Sequence, residues 1–199
     1  MRLNSEVSDT IYGENISYSY ERNRILDFFA LNIHLFKPLI YKNSNFKELE
    51  FIKISPVNIV ESERDFIQLL DKYLENNSKG QQFEEIYLLR NPSRKGIGFF
   101  ETKNFYPDFI LWTIKGEEQT ITFIEPHGLQ MTDPNDEKLD LYKEIKNIEV
   151  ELMKKSRLNI KLNSFIISPT KYGDLKWKAT KEELIDKNIL FMEDGSKVI

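Results

Sequence analysis

The stretch Phe105-Tyr-Pro-Asp108-Phe-Ile-Leu-Trp-Thr-Ile114-Lys-Gly-Glu-Glu-Gln-Thr-Ile121-Thr-Phe-Ile-Glu125-Pro-His127-Gly-Leu-Gln130 decides how this chain is read. Two apolar runs, Phe109 to Ile114 and Ile121 to Ile124, have strand character, and the polar turn Lys115-Gly116-Glu117-Glu118 joins them. A hairpin of this kind returns the chain so that the start of its first strand lies near the end of its second. Those two ends carry Asp108 and Glu125. Two carboxylates at one end of two buried strands are costly unless something offsets their charge. A divalent cation held by oxygen ligands is the natural compensator.

Downstream of the hairpin, Met131 to Asp136 is a loop. From Glu137 to Lys155, Leu139, Tyr142, Ile145, Ile148 and Leu152 recur at helical spacing. Asn159 to Ile167 reads as a strand and Thr180 to Lys187 as a helix, with Glu183 at the capping-box position. Ile189 to Met192 reads as a final strand. Upstream, Ser62 to Asn76 is predicted to be helical. Ser62 is its N-cap, Asp65 lies three residues on, and Phe66, Ile67, Leu70, Tyr73 and Leu74 form its apolar face. Glu63 falls at the buried edge of that face, where the helix dipole also favours it. Gln82 to Arg90 is predicted as a strand closed by Asn91-Pro92, and Gly96 to Phe100 as a short strand or approach loop without the context of a phosphate-binding loop.

Nearer the N-terminus the spacing predicts a short amphipathic helix over Tyr20 to Asn32. A strand over Ile33 to Tyr41, bent at Lys37-Pro38, and another over Leu49 to Ile54 follow. His34, between apolar neighbours, is expected to be a packed and hydrogen-bonded residue. Around the hairpin the order is therefore helix, strand, strand, strand, helix, strand. The expected class is α/β: a mixed central β-sheet flanked by helices, with residues 1–55 as an N-terminal extension packing on a domain over 56–199.

Composition narrows the classes. With 40% hydrophobic and 30% charged residues the chain has the balance of a soluble globular protein, and 14 Phe and 9 Tyr argue for a substantial core. No apolar run approaches the roughly 20 residues of a membrane span, and the N-terminus lacks a signal-peptide apolar region, so a cytoplasmic location is expected. The absence of cysteine excludes thiolate chemistry and cysteine-based zinc sites. A net charge of -4 gives no general basic character. Local basic stretches occur at Arg90 to Lys95 and Lys154 to Arg157.

Pro107-Asp108, a strand, and then Glu125-Pro126-His127 resemble the motif of the PD-(D/E)XK nuclease superfamily. The segments Ile33 to Ile40, Ile54 to Phe66, Tyr106 to Trp112 and Phe123 to Leu129 look like the C-terminal nuclease region of type III-like restriction-enzyme subunits, which carry a helicase motor. The resemblance covers about residues 20 to 195 and implies a restriction-endonuclease-like core. It further implies divalent-metal-dependent hydrolysis of DNA in restriction or phage defence, with Mg²⁺ as cofactor and Mn²⁺ as an alternative. Asp108 and Glu125 would be metal ligands, joined by the Pro126 backbone carbonyl, and Glu63 would be the additional acidic residue that many members carry. Gln130 and Lys143 are candidates for contact with the substrate backbone. The chain contains no GxxxxGK[S/T] loop and no DEAD-like motif, so the resemblance is to an isolated nuclease end. DNA, helicase and methylation subunits, and a second copy of the chain are the implied partners.

His127 departs from the pattern, because a lysine is usual there. Histidine, with an ordinary pKa of about 6.5, is mostly neutral at neutral pH. A neutral imidazole is able to accept a proton from an attacking water or to ligate a metal, which lysine does poorly. Two alternatives stand beside this reading: a site that has lost catalysis, leaving a nuclease-like interaction module, and metal-dependent hydrolysis of RNA or a small phosphoester.

Overall fold

A computed structural model describes residues 26–29, 31, 33–36, 39–42, 59–77, 83–92, 97–98, 106–155 and 159–198. Its strands are β1 (Leu26–Phe29), β2 (His34–Phe36), β3 (Leu39–Lys42), β4 (Glu85–Arg90), β5 (Phe109–Lys115), β6 (Glu118–Pro126), β7 (Asn159–Ser168) and β8 (Ile189–Phe191). Among the described residues three α-helices accompany them: α1 (Glu61–Asn77), α2 (Leu141–Lys155) and α3 (Lys181–Asp186). A 3₁₀ turn, Glu137–Asp140, leads into α2.

The central sheet has six strands in the order β2-β4-β5-β6-β7-β8, and β1 pairs with β3 separately. Within it β4, β5 and β6 form an antiparallel meander, while β2 joins β4, β7 joins β6 and β8 joins β7 in parallel. Strand β5 therefore runs against all the others. The architecture is mixed α/β with helices on the sheet faces, and the expected helix-strand-strand-strand-helix-strand order is present as α1-β4-β5-β6-α2-β7. Among the described residues no helix is long and apolar enough to cross a membrane.

Alternation along the strands explains both layers. Phe109 and Ile124 pack with Leu88, Ile167 and the α1 residues Phe66, Ile67 and Leu70. Their neighbours Ile110 and Phe123 pack on the opposite face with Leu141 and Ile145 of α2. Each such large apolar side chain, once fully buried, contributes about 1.5–3 kcal/mol. Beyond α2, Leu129, Leu139, Ile166, Leu184, Ile189 and Phe191 form a third cluster that fixes the loop after β6 against α3 and β8. The hairpin closes on Gly116, whose φ of 57° suits the first position of a two-residue turn between Lys115 and Glu118.

Several expectations need correction. Leu26–Phe29 is a strand, not part of a helix: a short apolar run does not fix its own period, and antiparallel pairing with Leu39–Lys42 decides it. Leu31 is described, buried and not helical, while residues 20–25, 30 and 32 lie outside the described residues, as does the strand expected over Leu49 to Ile54. The single strand over Ile33 to Tyr41 is two strands in different sheets, separated at residues 37–38. Helix α1 starts at Glu61, and the residue that reaches back is Glu63, which accepts the Val60 N–H at 2.6 Å, rather than a Ser62 cap. The Ile59 N–H donates to Ile40 O at 3.0 Å, which fixes the chain just ahead of the first turn. Strand β6 is longer than its apolar run, so Glu125 and Pro126 belong to its last residues. Of the expected apolar stripe on α2, Ile148 is exposed and Leu141 is buried instead. The Thr180–Glu183 capping box of α3 is formed on both sides.

Candidate functional site

Because β5 alone is reversed, its first residues meet the last residues of β4, β6 and β7 at one end of the sheet. The register that pairs Phe109 with Ile124 places Asp108 beside Glu125, and the Asp108 N–H donates to Glu125 Oε2 at 3.3 Å. On the other side the Asn91 N–H donates to Asp108 O at 2.7 Å. The buried Asn91 side chain then holds the approach to Asp108. Its Nδ2 donates to Pro107 O at 2.7 Å and to Ile97 O at 2.8 Å, and its Oδ1 accepts the Ile97 N–H at 2.8 Å. Gly98 packs so closely on the Tyr106 ring that a Cβ there would lie 2.5 Å from it. In the sequence Asn91-Pro92 signals only a strand end; that Asn91 clamps Pro107 depends on a contact 16 residues away, which no local pattern reveals.

The two carboxylates are strongly perturbed. Burial, reinforced by the charge of Glu63, raises Asp108 to about 7, against the opposing pull of Arg90 and Lys138. Burial, reinforced by Asp108, raises Glu125 to about 8, with Lys138 and the Asp108 N–H opposing. Glu63 is itself only 5% exposed. It approaches from the α1 side, where it accepts from Arg90 Nη2 at 3.3 Å as well as from Val60. Burial nevertheless raises its pKa, the backbone bond and Arg90 offsetting only part. Three carboxyl groups thus sit within electrostatic reach of one another at one end of the sheet.

His127 continues the line of β6, and its N–H donates to Ile167 O at 3.2 Å. Its side chain is half-buried. Burial, with the nearby charge of Lys138, lowers its pKa, and Asp136 opposes them, so the ring is neutral at neutral pH. Lys138 was not singled out by the sequence. It sits in the 3₁₀ turn, where its N–H is accepted by Asp136 Oδ1 at 3.1 Å, and it lines a water-sized cavity of about 10 Å³ with Pro107, Glu125, Tyr142 and Lys187. Lys138 is the cation that Asp108, Glu125 and His127 all feel, although it follows His127 by 11 residues.

The other candidates are placed apart from this group. Gln130 is exposed in the turn that follows β6, and Lys143 is exposed on α2 and ion-paired with Asp140 at 2.8 Å. His34 opens β2 opposite Tyr87, with its side chain outside the described residues. Of the two basic stretches, residues 93–96 and 156–158 lie outside them as well.

Two half-buried carboxylates beside a third, Glu63, are a donor set that suits a hard divalent cation, with the Pro126 carbonyl next in the chain. Among the described residues, no three His, Asp or Glu side chains are gathered into a group that holds a metal by itself. One family model, described as the YagJ family, matches residues 61–158, a span that includes Glu63, Asn91, Asp108, Glu125, His127 and Lys138. No curated protein and no solved structure matches the chain.

Proposed function

We propose that this chain is a divalent-metal-dependent endodeoxyribonuclease domain with a restriction-endonuclease-like core, resembling the PD-(D/E)XK nucleases and acting in restriction or phage defence. The observation that carries this is the pair Asp108 and Glu125, held together by an N–H to carboxylate bond and driven well above the ordinary carboxylate range by burial, with Glu63 repelling Asp108 and Asp108 repelling Glu125. Such perturbation at a sheet end is characteristic of functional sites. Mg²⁺ or Mn²⁺ would be held by Asp108 and Glu125, with the Pro126 carbonyl as a further donor. Bound there, the cation supplies Lewis-acid polarisation of a phosphodiester and charge neutralisation at the leaving oxygen.

The chain's own groups do the rest. His127, neutral at pH 7, accepts the proton of the attacking water as general base. Lys138 supplies the positive charge that the motif's usual lysine would bring. Glu63 adds negative charge beside Asp108 while anchoring the first turn of α1 and Arg90. That double commitment of Glu63 favours one second reading, a nuclease-like module that docks a helicase or methylation subunit without cutting.

Plasmid cleavage separates the two. Nicking or linearisation of supercoiled DNA that requires Mg²⁺ or Mn²⁺ and is lost in Asp108→Asn supports the nuclease. No cleavage with either ion, with the folded protein intact, leaves the docking module.

A further inference from the structure

The three parallel strands β6, β7 and β8 bring their carboxyl ends together, so the connection leaving β7 rises beside Glu125 and His127. Residues 169–180 are tied down there at both ends. Thr170 Oγ1 accepts the Leu129 N–H at 3.1 Å, and the Trp177 indole donates to Leu129 O at 3.1 Å, so the loop is fastened to the residues that follow His127. The Tyr172 hydroxyl donates to Ala179 O at 2.9 Å and closes the loop on itself, while the Tyr172 N–H donates to Glu193 at 2.8 Å.

Between these anchors stand Lys171, Lys176 and Lys178, all exposed, with Asp174 the one acidic residue from 169 to 180. Among the described residues none of the three forms an ion pair. Lys176 reaches only the Met131 sulfur at 3.3 Å, which leaves its charge unneutralised. By contrast Lys143, Lys146, Lys155, Lys161 and Lys181 are each matched by a carboxylate. Lys72, Lys115, Lys138, Lys154 and Lys187 also lack an ion pair among the described residues, but each stands on a separate element. Three unmatched lysines on one loop, fastened to the segment that follows His127 in a chain of net charge -4, are a local reversal of sign. The loop after β6, to which residues 169–180 are fastened, carries Asp133, Asp136 and Glu137 beside Lys138.

We propose that residues 171–178 are the surface along which the sugar-phosphate backbone of a nucleic-acid strand lies as it enters the carboxylate site, with Lys171, Lys176 and Lys178 each neutralising a phosphate. The proposal rests on reading Asp108 and Glu125 as a phosphodiester-hydrolysing centre. A loop already fixed by Trp177, Thr170 and Tyr172 loses little freedom when a polyanion settles on it. Ammonium groups act on phosphate as point charges, so the contact reads backbone and not sequence.

The test is fluorescence anisotropy with labelled duplex and single-stranded DNA in Ca²⁺ buffer, over a range of salt. It compares the wild type, K171A/K176A/K178A, K171R/K176R/K178R and the control K72A/K115A/K154A, each checked for folding by circular dichroism. The alanine variant is expected to lose most of its affinity. Its salt slope should flatten by about 0.9 for each phosphate contact removed, so by roughly 2 to 3 in all on duplex DNA. The arginine variant and the distant control should keep both. A folded alanine variant with unchanged affinity and slope overturns the proposal, as does a wild type that binds no DNA or that binds an acidic protein partner through these lysines in its place. Metal-dependent cleavage is scored separately with Asp108→Asn, which should still bind DNA. DNA binding through the loop by a protein that never cuts would refute the nuclease and spare the surface.

Discussion

The Asp108 N–H donates to the Glu125 carboxylate at 3.3 Å across β5 and β6, so one carboxylate's backbone partly satisfies the other carboxylate's side chain. That bond keeps the pair close while burial and repulsion keep both hard to ionise. The arrangement is poorly suited to a metal-free protein at neutral pH and well suited to one that binds a cation.

Stability should follow pH accordingly. Asp108 and Glu125 have folded-state values of about 7 and about 8, above the ordinary carboxylate range of an unfolded chain. Between those limits the folded state binds more protons than the unfolded one, so stability falls as pH rises. Their contribution is fully present below about pH 4 and is lost progressively as pH rises through about 7 and about 8. Denaturant titrations of chelator-treated protein should give a lower midpoint at pH 8 than at pH 5.5, and millimolar Mg²⁺ should restore the midpoint at pH 8. A midpoint that rises steadily over that interval would sink the assignment.

Removing one charge of the pair should stabilise the metal-free protein while removing its chemistry. Glu125→Gln removes the carboxylate that burial and Asp108 keep hard to ionise, and keeps the side-chain shape. At pH 8 a gain on the order of 1 kcal/mol is expected, read as a thermal midpoint higher by a few degrees. At pH 5 the variant and the wild type should converge. Equal destabilisation at both pH values would indicate that Glu125 is only a structural group.

Asn91 should matter as much as the carboxylates, although it carries no charge. Asn91→Ala leaves Pro107 O, Ile97 O and the Ile97 N–H without their side-chain partner, at about 1–3 kcal/mol for each group that finds no water. A loss of at least about 2 kcal/mol is expected in urea unfolding, together with weaker metal binding because the Pro107-Asp108 segment is no longer clamped. Asn91→Asp should not rescue it, since a carboxylate cannot donate to the two carbonyls.

Glu63→Ala removes both the acceptor for the Val60 N–H and a partner of Arg90, whose side chain is 13% exposed. The expected cost is about 1–3 kcal/mol, from the lost reach-back at the first turn of α1 and the weakened buried pair. Glu63→Gln keeps an acceptor and should recover part of it. If instead both variants unfold at the wild-type denaturant midpoint, Glu63 does not anchor the helix.

Much of this was legible in the chain because the hairpin carries its own period and its own turn. Phe109 to Ile114, Gly116 and the Thr180–Glu183 box are local signals, and local signals survive packing. Glu63 could be placed near the core from its spacing to Phe66 and Ile67. What escaped depends on contacts between distant segments. Asn91 becomes important only through Pro107, and Lys138 only because the 3₁₀ turn carries it back toward Glu125 and His127. Leu26–Phe29 was misread as helical because a four-residue apolar run fits either period until a partner strand chooses. The lysines of residues 171–178 were passed over for a similar reason. Their significance lies in the parallel order of β6, β7 and β8, which a charge count does not contain.

The most direct measurement is a calorimetric titration of chelator-treated protein with Mn²⁺ at pH 7, run in two buffers of different ionisation heat to count released protons. Wild-type protein should bind the ion with net proton release, because Asp108 and Glu125 still hold protons near that pH. The Asp108→Asn, Glu125→Gln double variant should give neither binding nor proton release. Binding that persists unchanged in the double variant, or a wild type that takes up no ion at all, would contradict a metal centre at this end of the sheet.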